Sequence, residues 1–230
     1  MLSERDHSSI GPAVNGGGGK IEPMVRLRAR IRFSKQGDLR LIGHRDLART
    51  IQRAFRRAEI HLGMSQGFHP KPRMSFPSAL AVGVAGLQEV MEVELAEPYT
   101  APQLQERLAL HLVPGLTLRC VEILPPGTPK ARVRSTSWEI PVPPGRVAQT
   151  ASRIDRLIAG RASPDCDGGE APQPRRGLEA LTLGEGVLRM RLRAGPGRMA
   201  GPRDVLAALE LDDLEQEGHQ LTRTMVELDP

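Results

Sequence analysis

Apolar and basic side chains alternate in the first predicted element, in the order Arg26, Leu27, Arg28, Ala29, Arg30, Ile31, Arg32 and Phe33. Successive side chains of a strand point to opposite faces of its sheet. The pattern therefore predicts a strand with one apolar face and one arginine face.

A helical repeat replaces this alternation after Gly43. The apolar positions have the spacing of one helix face: Leu47, Ile51, Ala54, Phe55 and Ala58. Four arginines fall on a different face, which we call the basic ridge: Arg45, Arg49, Arg53 and Arg56. Asp46 is predicted to cap the N-terminus of this helix.

The patterns that follow complete one half of the chain. Strands are predicted at 74–82 and 89–95, Thr100 and Gln103 have capping-box spacing at the start of a helix, and a further strand is predicted at 116–124. The resulting order, β-α-β-β-α-β, is the split βαβ arrangement of ferredoxin-like domains.

A second set of elements repeats this plan. A strand at 137–142, a helix around 147–158, a hairpin at 178–193, a short helix at 202–211 and a strand at 221–228 are predicted. The predicted fold class is α+β, with two ferredoxin-like halves in tandem. The predicted divisions are a disordered tail (1–23), a basic domain (24–126) and a second half (135–230) with a disordered insertion (161–177).

Charge is concentrated in one segment of the 230-residue chain, whose formal net charge is only +5. Between Met24 and Arg73, thirteen Lys or Arg residues stand against three acidic residues, so the remainder of the chain is net negative. The segment ends in a basic loop (65–73) stiffened by Pro70 and Pro72. A polyanion is the natural partner of such a segment.

The residues predicted to contact nucleic acid come from the strand, the helix and the basic loop, and we expect them to converge on one unneutralised surface. Phosphate contacts are expected from the arginines and Lys71, and base contacts from Phe68 and His69. The predicted set is Arg26, Arg28, Arg30, Arg32, Arg49, Arg53, Phe68, His69, Lys71 and Arg73.

Three structural alternatives compete with this interpretation. Glu92 and Glu94 alternate along the neighbouring predicted strand and can form cross-strand ion pairs with the arginines. The two halves can instead pack together and bury the arginine face, and the basic ridge can be an ordinary solvated helix face. Phe76 is predicted to be a core residue, whereas Phe68 is equally compatible with a core or a binding position.

The second half repeats the combination of an arginine-bearing strand and a basic loop. Arg189, Arg191 and Arg193 alternate with apolar residues within 187–193, and another Gly/Pro-rich basic loop follows at 195–203. By itself this is a weak signal for anion binding, which its repetition strengthens modestly.

Catalytic and cofactor motifs are missing from the sequence. There is no Walker loop, HExxH, GxSxG or Rossmann fingerprint, and Cys120 and Cys166 have no metal-ligand spacing, so no metal and no cofactor are predicted. His44 beside Asp46, or His69, could act as the general base of a metal-independent endoribonuclease.

No apolar run reaches the roughly 20 residues that span a bilayer, so no membrane is expected. The two isolated cysteines suggest the cytoplasm.

Several of these runs resemble the radical SAM-linked protein family, a bacterial domain of unknown function. The resemblance covers about 25–124 and rests on Arg32-Phe33-Ser34-Lys35-Gln36-Gly37, Arg40-Leu41-Ile42-Gly43-His44-Arg45-Asp46-Leu47, Ser65-Gln66-Gly67-Phe68-His69-Pro70-Lys71-Pro72 and Ala79-Leu80-Ala81-Val82-Gly83-Val84. The family typically has Ser-His-Leu-Asp-Leu at 43–47, so the loop before the helix differs here while His44 and Asp46 are kept.

The resemblance implies an accessory role beside a separate radical SAM protein. The first hypothesis is therefore a non-catalytic module that binds RNA or a ribonucleoprotein for such a partner. The second is the endoribonuclease described above. The third is a protein-docking subunit that binds no nucleic acid.

Overall fold

The structure, a computed structural model, describes residues 27–159 and 176–230. Its elements, in chain order, are β1 (Leu27–Lys35), a short 3-10 helix (Gly37–Leu41), α1 (His44–Arg57), β2 (Met74–Ser75), β3 (Ala85–Leu95), α2 (Ala101–Ala109), β4 (Leu116–Leu124), β5 (Val133–Pro141), α3 (Pro144–Ala159), β6 (Leu178–Gly184), β7 (Val187–Arg193), α4 (Pro202–Ala208) and β8 (Thr222–Leu228). The predicted tail and residues 161–175 of the predicted insertion lie outside the described residues, but Arg176 and Gly177 form the turn that leads into β6.

All eight strands belong to one sheet, which confirms the α+β class. The order is β4-β1-β3-β8-β5-β7-β6, with β2 paired to β3 beside this path. Within each half the neighbouring strands are antiparallel, and the halves join where β8 runs parallel to the start of β3 at Ala85 and Gly86.

The alternation of β1 places its apolar residues against α1. Ala29, Ile31 and Phe33 are buried with Leu47 and Ile51 of the helix, so they face the helix layer of the first half. Arg28, Arg30 and Arg32 therefore lie on the opposite, open face of the sheet. The second half has its own core between β5, β6, β7 and its helices.

The predicted strand at 74–82 is wrong beyond Ser75. Pro77 cannot donate a hydrogen bond to a strand ladder, and β2 is only two residues long. The residues at 76–84 form a strap across the junction instead, and Leu80 and Val84 are buried in the core of the second half. The two halves consequently share packing and are not independent.

The α1 cap also differs from the prediction. The N-cap is Gly43, and Asp46 lies inside the first turn, where its carboxylate pairs with Arg49 at 3.3 Å. The capping box at α2 is confirmed, because Thr100 and Gln103 bond each other's backbone amides at 3.4 and 2.9 Å.

A buried charge cluster fixes the junction between the halves. Glu89 of β3 and Arg223 of β8 form a bidentate pair, with the Arg223 Nε donating to the Glu89 carboxylate at 2.8 Å. The Arg223 guanidinium also donates to the Ser78 hydroxyl at 2.8 Å and to the Ser78 carbonyl at 3.2 Å, which holds the strap in place. A Cβ on Gly86 would come within 2.5 Å of the Glu89 carboxylate, so only glycine leaves room for this arrangement.

Lys35, at the end of β1, completes the cluster. Its side chain is fully buried, and its ammonium donates to the Ile42 carbonyl at 3.0 Å. Burial lowers the pKa of Lys35; the Glu89 carboxylate opposes this effect and the Arg223 guanidinium adds to it. The cluster thus holds two cations against one carboxylate.

Candidate nucleic-acid interface

The arginines of β1 that the structure describes already have hydrogen-bond partners within the molecule. Glu92, buried on β3, accepts from Arg28 at 3.0 Å and from both Nε and Nη2 of Arg30, at 3.1 and 3.0 Å. Arg32 donates to the Val226 carbonyl at 3.0 Å. The predicted unneutralised arginine face is therefore wrong for Arg28 and Arg30, for which the cross-strand alternative is confirmed, and Arg32 is engaged by a carbonyl instead of an acidic group.

The connection between the halves covers part of the same face. The carbonyls of Thr128 and Pro129 accept from Arg28 at 2.6 and 3.0 Å, and the Ala131 amide lies 3.4 Å from the Glu92 carboxylate. This network ties the linker between β4 and β5 to the first half. Arg26 lies outside the described residues.

The expected convergence of strand, helix and loop on one surface is also wrong. The arginines of β1 project from the open face, whereas the basic ridge lies on the side of α1 that points away from the sheet. The sheet itself separates the two groups. A candidate interface must consequently be built from α1 and the basic loop without β1.

The basic ridge is exposed, and Arg57 extends it at the end of α1. Arg49 has only the solvent-exposed pair with Asp46, a kind of contact that contributes little to stability. Five cations are exposed and have no acidic group within ion-pair distance among the described residues: Arg45, Arg53, Arg56, Arg57 and Lys71. Such a group of like charges repels itself and favours an external anion.

The basic loop leaves the edge of the sheet as a closed turn. The Ser65 amide donates to the Lys71 carbonyl at 2.8 Å, and the Lys71 amide donates to the Ser65 hydroxyl at 2.9 Å. A bridge between Met64 and Pro72 and a 2.7 Å bond from the Arg73 amide to the Gly63 carbonyl close its base. The stem is tied to β3, because the Gly63 amide donates to the Glu94 carbonyl at 2.8 Å.

Arg73 belongs to this base rather than to the free cations. Its guanidinium donates to the Met64 carbonyl at 3.2 Å and approaches the Glu94 carboxylate at 3.4 Å. The predicted role of Arg73 as a phosphate contact is thereby replaced by a structural one. Lys71 and His69 remain exposed on the loop.

The two phenylalanines near the loop have opposite environments. Phe68 has a relative exposure of 102%, at the tip of the loop next to Gly67, whose φ of +127° suits glycine. Phe76 is half-buried in the first core, with its ring 6.3 Å from that of Phe33 and 4.9 Å from that of His44. The core prediction for Phe76 is confirmed, and Phe68 is free to contact a ligand.

His44 has a packing contact where the endoribonuclease hypothesis requires an orienting carboxylate. Its imidazole packs edge-on against Phe76, while Asp46 bonds Arg49. No carboxylate of the described residues is hydrogen-bonded to His44 or His69. Catalysis by either histidine stays a prediction without geometric support.

The strand arginines of the second half are paired as well. Arg191 contacts Glu179 and Glu227, and Arg193 donates to Glu179 at 2.7 Å. The hydrogen bond from Arg193 is the main cause of the lowered pKa of the Glu179 carboxyl. The strand arginines of the second half are therefore engaged within the sheet, as Arg28 and Arg30 are in the first half, and of the loop at 195–203 Arg203 is paired with Glu215 while Arg198 is exposed.

Two further properties concern the described residues as a whole. Within 27–159 and 176–230 there is no cluster of three or more His, Cys, Asp or Glu side chains that could hold a metal ion. In the same ranges no helix has both the length and the apolar composition needed to cross a membrane.

Sequence reasoning overlooked one surface residue and one buried group. Arg57 stands directly after Arg56, and its position in the helical repeat was the signal that would have added it to the basic ridge. The Glu89–Arg223 pair joins residues 134 positions apart, and no local pattern links them.

Comparison with known proteins identifies the family. A family model described as "Uncharacterized protein conserved in bacteria (DUF2344)" matches residues 28–164, which is more than half of the chain. The protein belongs to this bacterial family, whose description assigns no function. No curated protein matches the chain.

Two solved structures align with most of the chain but superpose poorly. One is an unknown protein from Galdieria sulphuraria, with 12% identity over 89% of this chain and 99% of that chain, and a TM-score of 0.25. The other is described as a candidate transcriptional repressor of the glycine cleavage system, with 10% identity over 89% and 98% of the two chains and the same TM-score. Neither likeness bears on function.

Proposed function

We propose that this protein is a non-catalytic RNA-binding module whose interface is formed by the basic ridge of α1, extended by Arg57, and the basic loop. The observation that carries the proposal is that, among the described residues, five exposed cations of these two elements have no acidic partner. Many arginines elsewhere in the described residues are instead engaged by acidic side chains or carbonyls, as Arg30, Arg146 and Arg193 are. Cations left without such partners are suited to phosphates.

The position of the two elements supports a common interface. α1 ends at Arg57, and the chain reaches the edge of β3 at Leu62, so the last turn of the helix and the stem of the loop lie at the same end of the sheet. Glu59, which follows the helix, lies 3.9 Å from Arg107 of α2 and leaves the ridge unneutralised. Arginines four residues apart on a helix are about 6 Å apart along its axis, so the ridge can follow a phosphate chain.

Salt dependence of RNA binding tests the proposal. A fluorescently labelled, mixed-sequence RNA is titrated with the chain between about 50 and 200 mM salt. Five phosphate contacts predict a slope of log K against log salt of about −3.5 for a single strand. No measurable binding at low salt, or a slope near zero, would reject the proposal.

The accessory role beside a radical SAM enzyme forms part of the same proposal and rests on the family resemblance alone. RNA presented on α1 and the basic loop would leave the sheet edge at β4 available to a protein partner. Isolation of the native complex under conditions that preserve RNA, followed by identification of its proteins, tests this partner. A complex that contains no radical SAM protein would remove this part of the proposal and leave RNA binding standing.

A further inference from the structure

The tip of the basic loop holds an aromatic ring fully in solvent. Phe68 makes no ring contact in the described part of the chain, although Phe33, Phe55 and Phe76 pack in the first core. A fully exposed phenylalanine forgoes the stabilisation that burial would provide. The ring therefore needs an explanation outside the fold.

The backbone of the loop is also held closed before any ligand arrives. The two Ser65–Lys71 bonds close the turn around the tip, and Pro70 and Pro72 restrict its second arm. The stem is bonded to β3 through Gly63. Binding to such a loop orders few additional side chains, which favours affinity.

The surroundings of Phe68 define what can cover it. Gln66, His69 and Lys71 are exposed on the same loop, and Arg56 and Arg57 in the last turn of α1 lie at the same end of the sheet. An apolar pocket of a partner protein would have to bury these polar and charged groups beside the ring. A nucleobase instead offers a flat surface for stacking, edges for the amide and imidazole, and a phosphate for the ammonium.

We infer that Phe68 stacks on an unpaired base, so that the preferred ligand is single-stranded RNA, including the loops, bulges and ends of folded RNA, over an uninterrupted duplex. This inference rests on the proposed function and narrows it. In an A-form duplex the bases are stacked internally and the major groove is too deep and narrow for side chains, so no base face is available to the ring. The cations of α1 contact the backbone in either form of RNA.

Paired titrations test the inference at one salt concentration. A labelled mixed-sequence RNA and the same strand annealed to its complement are bound to the wild-type chain, to Phe68→Ala and to Phe68→Trp. Phe68→Ala should weaken single-strand binding roughly 5- to 100-fold, the loss expected for one stacked base, and change duplex binding less than about twofold. Phe68→Trp should retain single-strand affinity because the ring can still stack.

Leu110→Ala provides the matched control. Leu110 is an apolar residue directly after α2 and is 80% exposed, so this variant removes exposed apolar surface without touching the loop. It should bind both RNAs as the wild type does. Thermal unfolding of each variant verifies that the fold is unchanged.

The possible results separate this inference from the proposed function. Single-strand affinity equal to duplex affinity, with no effect of Phe68→Ala, would overturn the inference and leave RNA binding in place. Failure of the wild type to bind either RNA would overturn both. An equal loss with Phe68→Ala on both RNAs would also contradict base stacking.

Discussion

α1 and α3 occupy equivalent positions in the two halves, but their arginines have different surroundings. In α3, Arg146 binds Asp213 at 2.6 Å and Glu217 at 3.1 Å, and Arg153 contacts Glu210. In the described part of α1, Arg49 alone has an acidic neighbour, and that pair is exposed. Similar composition therefore produces a structural set of arginines in one helix and an available set in the other.

The difference lies in the segments that pack beside each helix. The turn region after α4 supplies the acidic residues 210, 213 and 217 to α3. Arg146 lowers the pKa of Asp213 by a side-chain hydrogen bond, and its own pKa is raised by the same contact. α1 is instead followed by a loop that carries Lys71 and His69. The following segment therefore adds positive charge to α1, whereas the segment beside α3 supplies acidic partners to its arginines.

The largest predicted effect concerns the ion pair that joins the halves. Glu89→Ala would leave Arg223 buried without a carboxylate, and we expect unfolding in urea to show a loss of about 3–5 kcal/mol. Glu139→Ala is the control, since its distance of 4.0 Å from the exposed Arg189 predicts a change of at most about 1 kcal/mol. Equal losses in the two variants would show that the junction does not depend on this pair.

Charge reversal on α1 is expected to have the next largest effect. Arg53→Glu with Arg57→Glu should reduce RNA affinity by roughly 10- to 100-fold at low salt and make the salt slope shallower by about 1.5, because two phosphate contacts are lost. Fluorescence anisotropy measures both quantities.

The matched control reverses two exposed arginines of the second half. Arg156→Glu with Arg198→Glu gives the same change in net charge, and both positions are exposed. If this control weakens binding as much as the α1 variant does, then overall charge governs the affinity and the two helices do not differ in function.

The strand arginines should show the opposite behaviour. Arg30→Met removes two hydrogen bonds to Glu92, and we expect a loss of about 1–3 kcal/mol in the free energy of unfolding. RNA affinity should remain within about twofold of the wild type. A large fall in affinity with unchanged stability would return Arg30 to the interface.

Particular residues show where sequence reasoning succeeded. The period-two alternation of β1 placed Ala29, Ile31 and Phe33 in the core because a strand has no other way to bury them together. The same alternation allowed Arg30 to lie opposite Glu92, so the sequence also predicted their ion pair as an alternative to a free arginine face. The strands β4 and β7 have the predicted boundaries.

Other features depended on tertiary contacts that a local pattern does not contain. Pro77 signalled the end of β2, but that Leu80 and Val84 enter the core of the other half follows from the junction of β3 with β8. Phe68 and Phe76 are the same residue type eight positions apart. Their environments differ because the loop stem is bonded to β3, which leaves Phe68 exposed at the tip and Phe76 packed in the first core. The separation of β1 from α1 by the sheet likewise required the assembled fold.

Lys35 offers a smaller effect that depends on pH. Burial lowers its pKa from the ordinary value of 10.5, so between the lowered pKa and 10.5 the unfolded chain binds more protons than the folded chain. Lys35 therefore makes the stability of the wild type increase with pH through that window. Lys35→Met lacks this contribution. Urea titrations at neutral pH should find the variant at least as stable as the wild type, and the stability of the wild type should gain on that of the variant as pH rises. A difference independent of pH would show that Lys35 titrates alike in both states.

The smallest effect is expected from Asp46, the acidic neighbour of Arg49. Asp46→Asn removes an exposed pair and a favourable charge in the first turn of α1, which together should cost no more than about 1–2 kcal/mol of stability. The variant frees the Arg49 guanidinium from its ion pair. RNA affinity should therefore increase roughly two- to fivefold, a small gain because the exposed pair that competed with phosphate is weak. Asp155→Asn on α3 is the control, because it makes the same change of charge on the helix whose Arg146 and Arg153 are already paired with acidic residues, and it should leave affinity unchanged. If the two variants bind RNA equally, Arg49 is not part of the interface, and the other arginines of the ridge bind without it.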